Sequence, residues 1–511
     1  MLVKLKSCGL SGIDGYAVEI ETDISSGIPA FDIVGLGDMA VRESRERVRS
    51  AIRNSGLEFP TRRITINLSP ASVRKEGSGF DMGIAIGVLA SSGQLDISMI
   101  ENFMFIGELS LDGKVNPVKG ILSMALCAVN SGVENLAVPF DNADEASVVK
   151  GINVLPVKNI IQIVNHLNGK EQIESYKSNV DSFFGKSIEY DVDFSDVKGQ
   201  ENVKRALEIA AAGSHNCLLV GSPGCGKTML AKRLPTILPD LTFEEALEVT
   251  RIHSISGILK GNTPLVTRRP FRSPHHTISP NGLVGGGKYP KPGEISLAHY
   301  GVLFLDEVPE FDKQALEVLR QPLEDGIVTI SRVNSSISYP ASTTLICTAN
   351  PCECGNYLDP ARECTCTPRQ VRQYLGRLSG PLIDRIDIHV EVPSVKYSDL
   401  EKEGEGEKSS EIRKRVNRVR KVQLERYRNS SIFANSQLTP QLVKKHCRLD
   451  HKGRALLRDA FEKLGFSARA HDKILKVART IADLDKSDNI KHHHVAEAIQ
   501  YRSLDRRFWE M

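Results

Sequence analysis

Apolar and polar positions change period several times along this chain, and each change marks an element. Over 17–24 (AVEIETDI) and 63–69 (RITINLS) they alternate, the two-residue period of strands with one buried face. Over 81–93 (DMGIAIGVLASSG) the run is apolar almost throughout and long enough for a buried helix. FIGELSLDGKV (105–115) predicts two short strands about a turn at Asp112-Gly113. CLLVG (217–221) and VLFL (302–305) are short, continuous apolar runs of the kind that central parallel strands need, and TTLICTAN (343–350) is a β-rich run ending in a polar residue. TMLAKRL (228–234) predicts a helix directly after the first of them. From 411 onward the pattern is helical, with Ile412, Val416 and Val419 recurring at i, i+4 and i+7. No internal repeat is visible.

These shifts predict an α/β multidomain chain. Residues 1–168 form a mixed α+β domain, 169–192 a polar linker and 193–395 an α/β nucleotide-binding module. Residues 396–410, which hold the acidic run EKEGEGE, form a second linker, and 411–511 a helical domain. A length of 511 residues suits about three domains at ~150 residues each. No stretch approaches the ~18 uncharged apolar residues of a membrane span, and the N-terminus lacks the apolar core of a secretory signal. A cytoplasmic protein without a membrane partner is expected. The net charge of +3 is too small to suggest a partner. Locally, 411–430 carries eight Lys/Arg against two Glu, and the basic helix 411–428 is expected to present a solvated face, with a DNA patch as the alternative.

The chemistry is concentrated in 221–228, GSPGCGKT, which fits G-x-x-x-x-G-K-[ST]. A loop of Gly221, Ser222, Pro223, Gly224, Cys225 and Gly226 wraps phosphates with backbone N–H groups, aided by the helix start that follows. Lys227 reaches the β- and γ-phosphates, and the Thr228 hydroxyl holds Mg²⁺. The strand VLFL ends in Asp306, which completes the magnesium shell, and Glu307, which polarises the attacking water. Both motifs in this order predict a chain that binds and hydrolyses ATP. Asn350, at the end of TTLICTAN, is placed to orient that water. Arg385, in LIDRID before another strand, suits a finger reaching into a neighbouring subunit's site. Arg469 opens the helix within SARAHDKILKVARTIADL (467–484) and suits contact with the γ-phosphate.

Of ten cysteines, four fall within 352–366 as CEC and CTC. Cys352, Cys354, Cys364 and Cys366 can close a tetrahedral Zn²⁺ site, and its expected role is to brace the loop that presents Arg385. His492–His494 read as a solvated helix start.

Taken together, 196–235, 269–311 and 377–393 resemble the magnesium-chelatase-like AAA+ ATPases, in particular the YifB/ComM branch. The resemblance covers essentially the whole chain. It implies a P-loop AAA+ module followed by a helical lid, assembled as a hexameric homo-oligomer and driven by ATP on single-stranded or branched DNA. In the competence protein of that branch the motor is a branch-migration helicase. Residues 70–125 are similar to the proteolytic domain of Lon, but Gly79 takes the place of its Ser and Leu122 that of its Lys. Ser78 and Lys119 are shifted by one and three residues, so the domain is expected to be a degenerate scaffold without peptidase activity. Hairpins line the channel in related ring motors, and 268–290 and 329–340 are the candidate DNA-tracking insertions. Arg272, His275, His276, Lys288 and Arg332 are the residues within them. Two other readings are a chelatase motor subunit and a protein-remodelling ATPase.

Overall fold

The computed structural model describes residues 2–178, 190–259, 263–287, 290–332, 335–357, 359, 362–394, 406–430, 432–502 and 504. It divides into two compact units: 1–186 with 243–267 and 333–338, and 187–242 with 268–332 and 339–511. The expected second linker falls largely on residues outside those described.

The first unit is built on a mixed seven-stranded sheet. From edge to edge its strands are Ala30–Val34, Arg63–Ser69, Asp14–Ser25, Leu2–Ser11, Phe103–Phe105, Asn135–Pro139 and Asn153–Val157. Leu2–Ser11 and Asp14–Ser25 pair antiparallel from Leu2↔Asp23 to Ser11↔Asp14. Within Asp14–Ser25, the alternation of buried and exposed residues follows the period read from the sequence over 17–24. The helix Asp81–Ser91 is buried along its whole length, as its unbroken apolar run requires. Arg47 Nε donates to its first carboxylate, Asp81, over 2.6 Å.

One element of this unit comes from an unexpected part of the chain. The helix Phe243–Ser256 lies within the 193–395 module in sequence, yet it clusters with the N-terminal residues. Gly120 N donates to Ser254 Oγ over 2.9 Å, and Arg251 donates to Ile13 O over 2.9 Å while pairing with Asp14. These partners are more than a hundred residues apart in sequence and leave no periodic signal.

The second unit centres on a five-stranded, all-parallel sheet in the order Phe271–Arg272, Val302–Leu305, Thr344–Ala349, Cys217–Val220, Ile388–Glu391. The middle three strands are buried at every position, which explains their lack of alternation. Helices Ser409–Arg426, Pro440–His446, His451–Leu464, Ala468–Leu484 and His492–Gln500 join the same core through the helix Glu201–Gly213.

Two expectations for these helices are corrected. The basic helix is solvated on one side only: Lys414 and Lys421 are exposed, but Arg420 is 5% exposed and donates to Ser214 Oγ, and Arg426 clamps Asp483 with bonds of 2.8 and 2.6 Å. Arg415 donates to Glu208 over 2.6 Å. His494 is not solvated. It is fully buried, and its Nδ1 accepts the Lys491 N–H over 2.9 Å, closing the helix start. Sequence shows the charge but not the acidic partners or the covering chain.

Candidate functional site

The loop 221–226 follows the end of the strand Cys217–Val220 and runs into the helix Lys227–Arg233. Gly226 sits at the helix cap with φ of 93°, a left-handed conformation that glycine adopts without steric cost. Lys227 is buried, and its Nζ donates to Gly221 O (2.6 Å), Ser222 O (3.0 Å) and Asn350 Oδ1 (3.0 Å). The ammonium group is therefore held at the mouth of the loop. Asn350 arrives there because its strand, Thr344–Ala349, lies between Cys217–Val220 and Val302–Leu305 in the sheet.

Thr228 Oγ1 donates to Asp306 Oδ2 over 3.0 Å, so a hydroxyl and a carboxylate converge at one point. This all-oxygen pair suits Mg²⁺, which keeps most of its waters and takes few protein ligands. Glu307 is exposed and has φ of 52°, unusual for a residue with a Cβ. Such a conformation costs about 1–3 kcal/mol and persists where the surroundings enforce it. Fully buried Thr348 supplies that enforcement. Its Oγ1 donates to Asp306 Oδ1 over 2.6 Å and accepts the Glu307 N–H over 2.8 Å, so one hydroxyl fixes both acids.

Sequence reasoning missed Thr348, although a hydroxyl inside an otherwise apolar strand was a usable signal. It also missed Gln200. With φ of 58°, Gln200 donates from Nε2 to Cys225 O (2.8 Å) and Pro393 O (3.1 Å). It thereby ties the phosphate loop to the chain leaving the last strand.

Arg385 and Arg469 stand elsewhere. Both line a cavity of about 910 Å³ with Asn216, Thr344, Asp387 and Lys473. Asn216, Thr344 and Asp387 mark where strands begin, whereas the phosphate loop lies where they end. A four-residue strand spans about 13 Å, more than an arginine side chain crosses. Arg385 donates to Arg320 O (3.0 Å) and Pro381 O (2.7 Å) and pairs with Glu324. The Arg469 side chain is 64% exposed, with its guanidinium 3.6 Å from Asp384. Beneath them is Asp387. Burial alone would raise its pKa, but Lys473 at 3.0 Å and His215 at 3.1 Å hold it well below the usual carboxylate range.

The four cysteines of 352–366 do come together. Their Sγ atoms lie 3.4 Å (Cys352–Cys354), 3.8 Å (Cys352–Cys364) and 3.6 Å (Cys354–Cys364) apart, and all four fall within 4.8 Å of one another. Thiolates at 2.3 Å from a tetrahedral Zn²⁺ would be about 3.8 Å apart, so the set fits that ion. The Asn356 N–H lowers the Cys354 thiol to about 5, while burial pushes Cys352 up to about 12. The cysteines share a core with Leu382, Ile383 and Ile386, which flank Arg385. Their loop lies against the phosphate loop, where Asp359 Oδ2 accepts the Ser222 hydroxyl over 2.8 Å.

The DNA candidates are scattered. Arg272 is engaged by Glu294 through bonds of 2.6 and 2.8 Å. The rings of His275 and His276 lie 4.1 Å apart and tilted by 35°, with His275 exposed. Lys288 and the Arg332 side chain lie outside the described residues. The hairpin expected over 329–340 forms from Ile327–Arg332 and Ser335–Pro340. In the first unit Ile337 packs so closely over Gly12 that a Cβ there would meet its Cγ2 at 2.8 Å. In the same unit Leu122 is fully buried, Ser78 Oγ donates to Glu108, and Lys119 is exposed. No helix among the described residues is long and apolar enough to cross a membrane.

Family models match three stretches: "Magnesium chelatase, subunit ChlI" over 193–400, "Subunit ChlI of Mg-chelatase" over 20–142 and "Magnesium chelatase, subunit ChlI C-terminal" over 406–502. The chain is 43% identical over 502 residues to the competence protein ComM of Haemophilus influenzae, covering 97% of this chain and 96% of that protein. It is 42% identical over 496 residues to YifB of Escherichia coli, covering 97% and 96%. To the chloroplastic magnesium-chelatase subunit ChlI of rice it is 24% identical over 335 residues, 60% of this chain and 73% of that one. Given three matched family models and full-length identity to ComM and YifB, the chain belongs to the YifB/ComM family of magnesium-chelatase-like proteins.

Proposed function

We propose that this protein is an ATP-hydrolysing AAA+ motor that works as a ring, hexameric as the resemblance implies, and acts on DNA, as a branch-migration helicase in recombination or natural transformation. The observation that carries the ATPase half is the convergence of Lys227, Thr228, Asp306, Glu307 and Asn350 at the strand ends. Lys227 and the loop N–H groups bind the β- and γ-phosphates. Thr228 and Asp306 hold the magnesium ion, whose charge offsets that developing on the phosphates. Glu307 takes the proton of the attacking water, and Asn350 helps orient that water.

Arg385 and Arg469 act across an interface. At the opposite strand ends they are out of reach of their own chain's phosphate loop, so each serves a neighbour in the ring. Arg385 leaves its pairing with Glu324 to do so, since the neighbour's triphosphate is the stronger anion. An arginine delivered in this way is worth ~10³–10⁵ in rate. The N-terminal unit is a scaffold rather than a peptidase: Gly79 and Leu122 offer neither nucleophile nor base.

The DNA half rests on the family resemblance and on full-length similarity to a protein named for competence. A chelatase-type motor is favoured by the family-model names, but that similarity covers 60% of this chain at 24% identity. ATP turnover measured without DNA and with single-stranded, duplex and four-way DNA tests the proposal. Stimulation by one DNA form supports it, and turnover indifferent to every form removes DNA as the partner.

A further inference from the structure

The cysteine loop and the phosphate loop touch at two places, and a third contact lies just outside both. Asn350, two residues before Cys352, accepts the Lys227 ammonium. Gly355, directly after Cys354, has φ of 79°, and its backbone lies so close to Pro223 that a Cβ would meet the ring Cδ at 2.3 Å. Asp359, inside the loop, accepts the Ser222 hydroxyl over 2.8 Å. Pro223 is exposed and Ser222 half-buried. Cys352 and Cys354 precede these last two contacts and Cys364 and Cys366 follow them. A metal ion holding all four sulfurs closes the segment around the two residues that press on the phosphate loop.

We propose that metal bound by Cys352, Cys354, Cys364 and Cys366 sets the affinity of the phosphate loop for a nucleoside triphosphate. The proposal rests on the assignment of 221–228 as the triphosphate site. With the metal in place, the segment Cys352–Cys366 is a short closed loop, and Gly355 and Asp359 hold Pro223 and Ser222 in one conformation. The loop is then pre-organised for phosphate, and less ordering is left to accompany binding. Without the metal, the fifteen-residue segment regains conformational freedom, its contacts loosen, and the phosphate loop must be ordered by the nucleotide itself. Coupling between two sites is reciprocal. Whatever factor the metal adds to triphosphate affinity, bound triphosphate adds to metal affinity.

The test uses the full-length protein. Its zinc content is measured, and the affinity for a fluorescent, non-hydrolysable ATP analogue in excess Mg²⁺ is compared before zinc removal, after it and after zinc is returned. One zinc per chain is expected, with affinity falling about tenfold on removal and returning with the ion. In the reverse direction, the Mg²⁺-bound analogue should weaken zinc transfer to a chromophoric chelator by the same factor. Asp359→Ala keeps all four sulfurs and separates coupling from folding. It should retain zinc, bind the analogue more weakly, and lose the effect of nucleotide on zinc transfer.

Stoichiometric zinc with unchanged affinity on removal overturns the coupling. Substoichiometric zinc in protein purified without chelator overturns the metal site. Failure to bind the analogue in every state overturns instead the triphosphate site on which the proposal rests. If zinc removal unfolds the chain, Asp359→Ala decides: wild-type affinity and wild-type nucleotide dependence of zinc transfer overturn the proposal.

Discussion

Thr348→Val is the sharpest test of the geometry at the two acids. The substitution keeps the branched shape in a fully buried strand position and removes only the hydroxyl. Two bonds disappear: the 2.6 Å donation to Asp306 and the 2.8 Å acceptance from the Glu307 N–H. An unsatisfied backbone N–H costs about 1–3 kcal/mol, and Glu307 loses the contact that enforces its left-handed backbone. If about 2 kcal/mol of that loss appears only in the transition state, turnover falls about 30-fold. Lys227 and the loop are untouched, so nucleotide affinity should stay near wild type while kcat falls. Phosphate release gives kcat, a fluorescent analogue gives affinity, and Thr348→Ser, which restores the hydroxyl, should recover most of the rate. A Thr348→Val protein with wild-type kcat and wild-type magnesium dependence would refute the claim that this hydroxyl positions both acids.

Other perturbations separate the remaining roles. Lys227→Ala should abolish nucleotide binding, read by equilibrium titration. Glu307→Gln should bind nucleotide normally and lose at least ~10²-fold in turnover, as expected for removal of a general base; wild-type hydrolysis would exclude that role. Arg385→Ala should be inactive alone, yet mixing it with Lys227→Ala should restore activity, because some interfaces then combine an intact loop with an intact arginine. Mixtures that stay dead would argue against action between subunits. The carboxyl of Asp387 titrates below its unfolded value of ~3.9, so its pairing stabilises the fold above that pH and the gain is lost as pH falls through the acid range. Asp387→Asn should lower the urea midpoint at neutral pH by the equivalent of ~3–5 kcal/mol and flatten its decline in acid.

Legibility differed from one part of the site to another. The places of Gly221–Thr228 and Asp306–Glu307 after central strands were readable because the signal is local: a central strand announces itself by an unbroken apolar run, and the proposed phosphate cradle takes adjacent residues. The four cysteines were readable as a cluster for the same reason, since fifteen residues suffice to bring them within 4.8 Å. What that cluster presses against was not readable. Gly355 on Pro223 and Asp359 on Ser222 join segments more than a hundred residues apart, and no period records such a contact.

The sequence alone determined the strands and helix around 217–234 and 302–307 and the sulfur set, because each depends on interactions between near neighbours in the chain. Tertiary structure decided the strand order that puts Asn350 beside Lys227, and it made Thr348 the anchor of both acids. It put the helix Phe243–Ser256 into the unit built on residues 1–186. It also set Arg385 and Arg469 at the strand ends away from their own phosphate loop. Those outcomes depend on which apolar faces bury together and which distant donor finds which acceptor, and that is settled only when the whole chain packs.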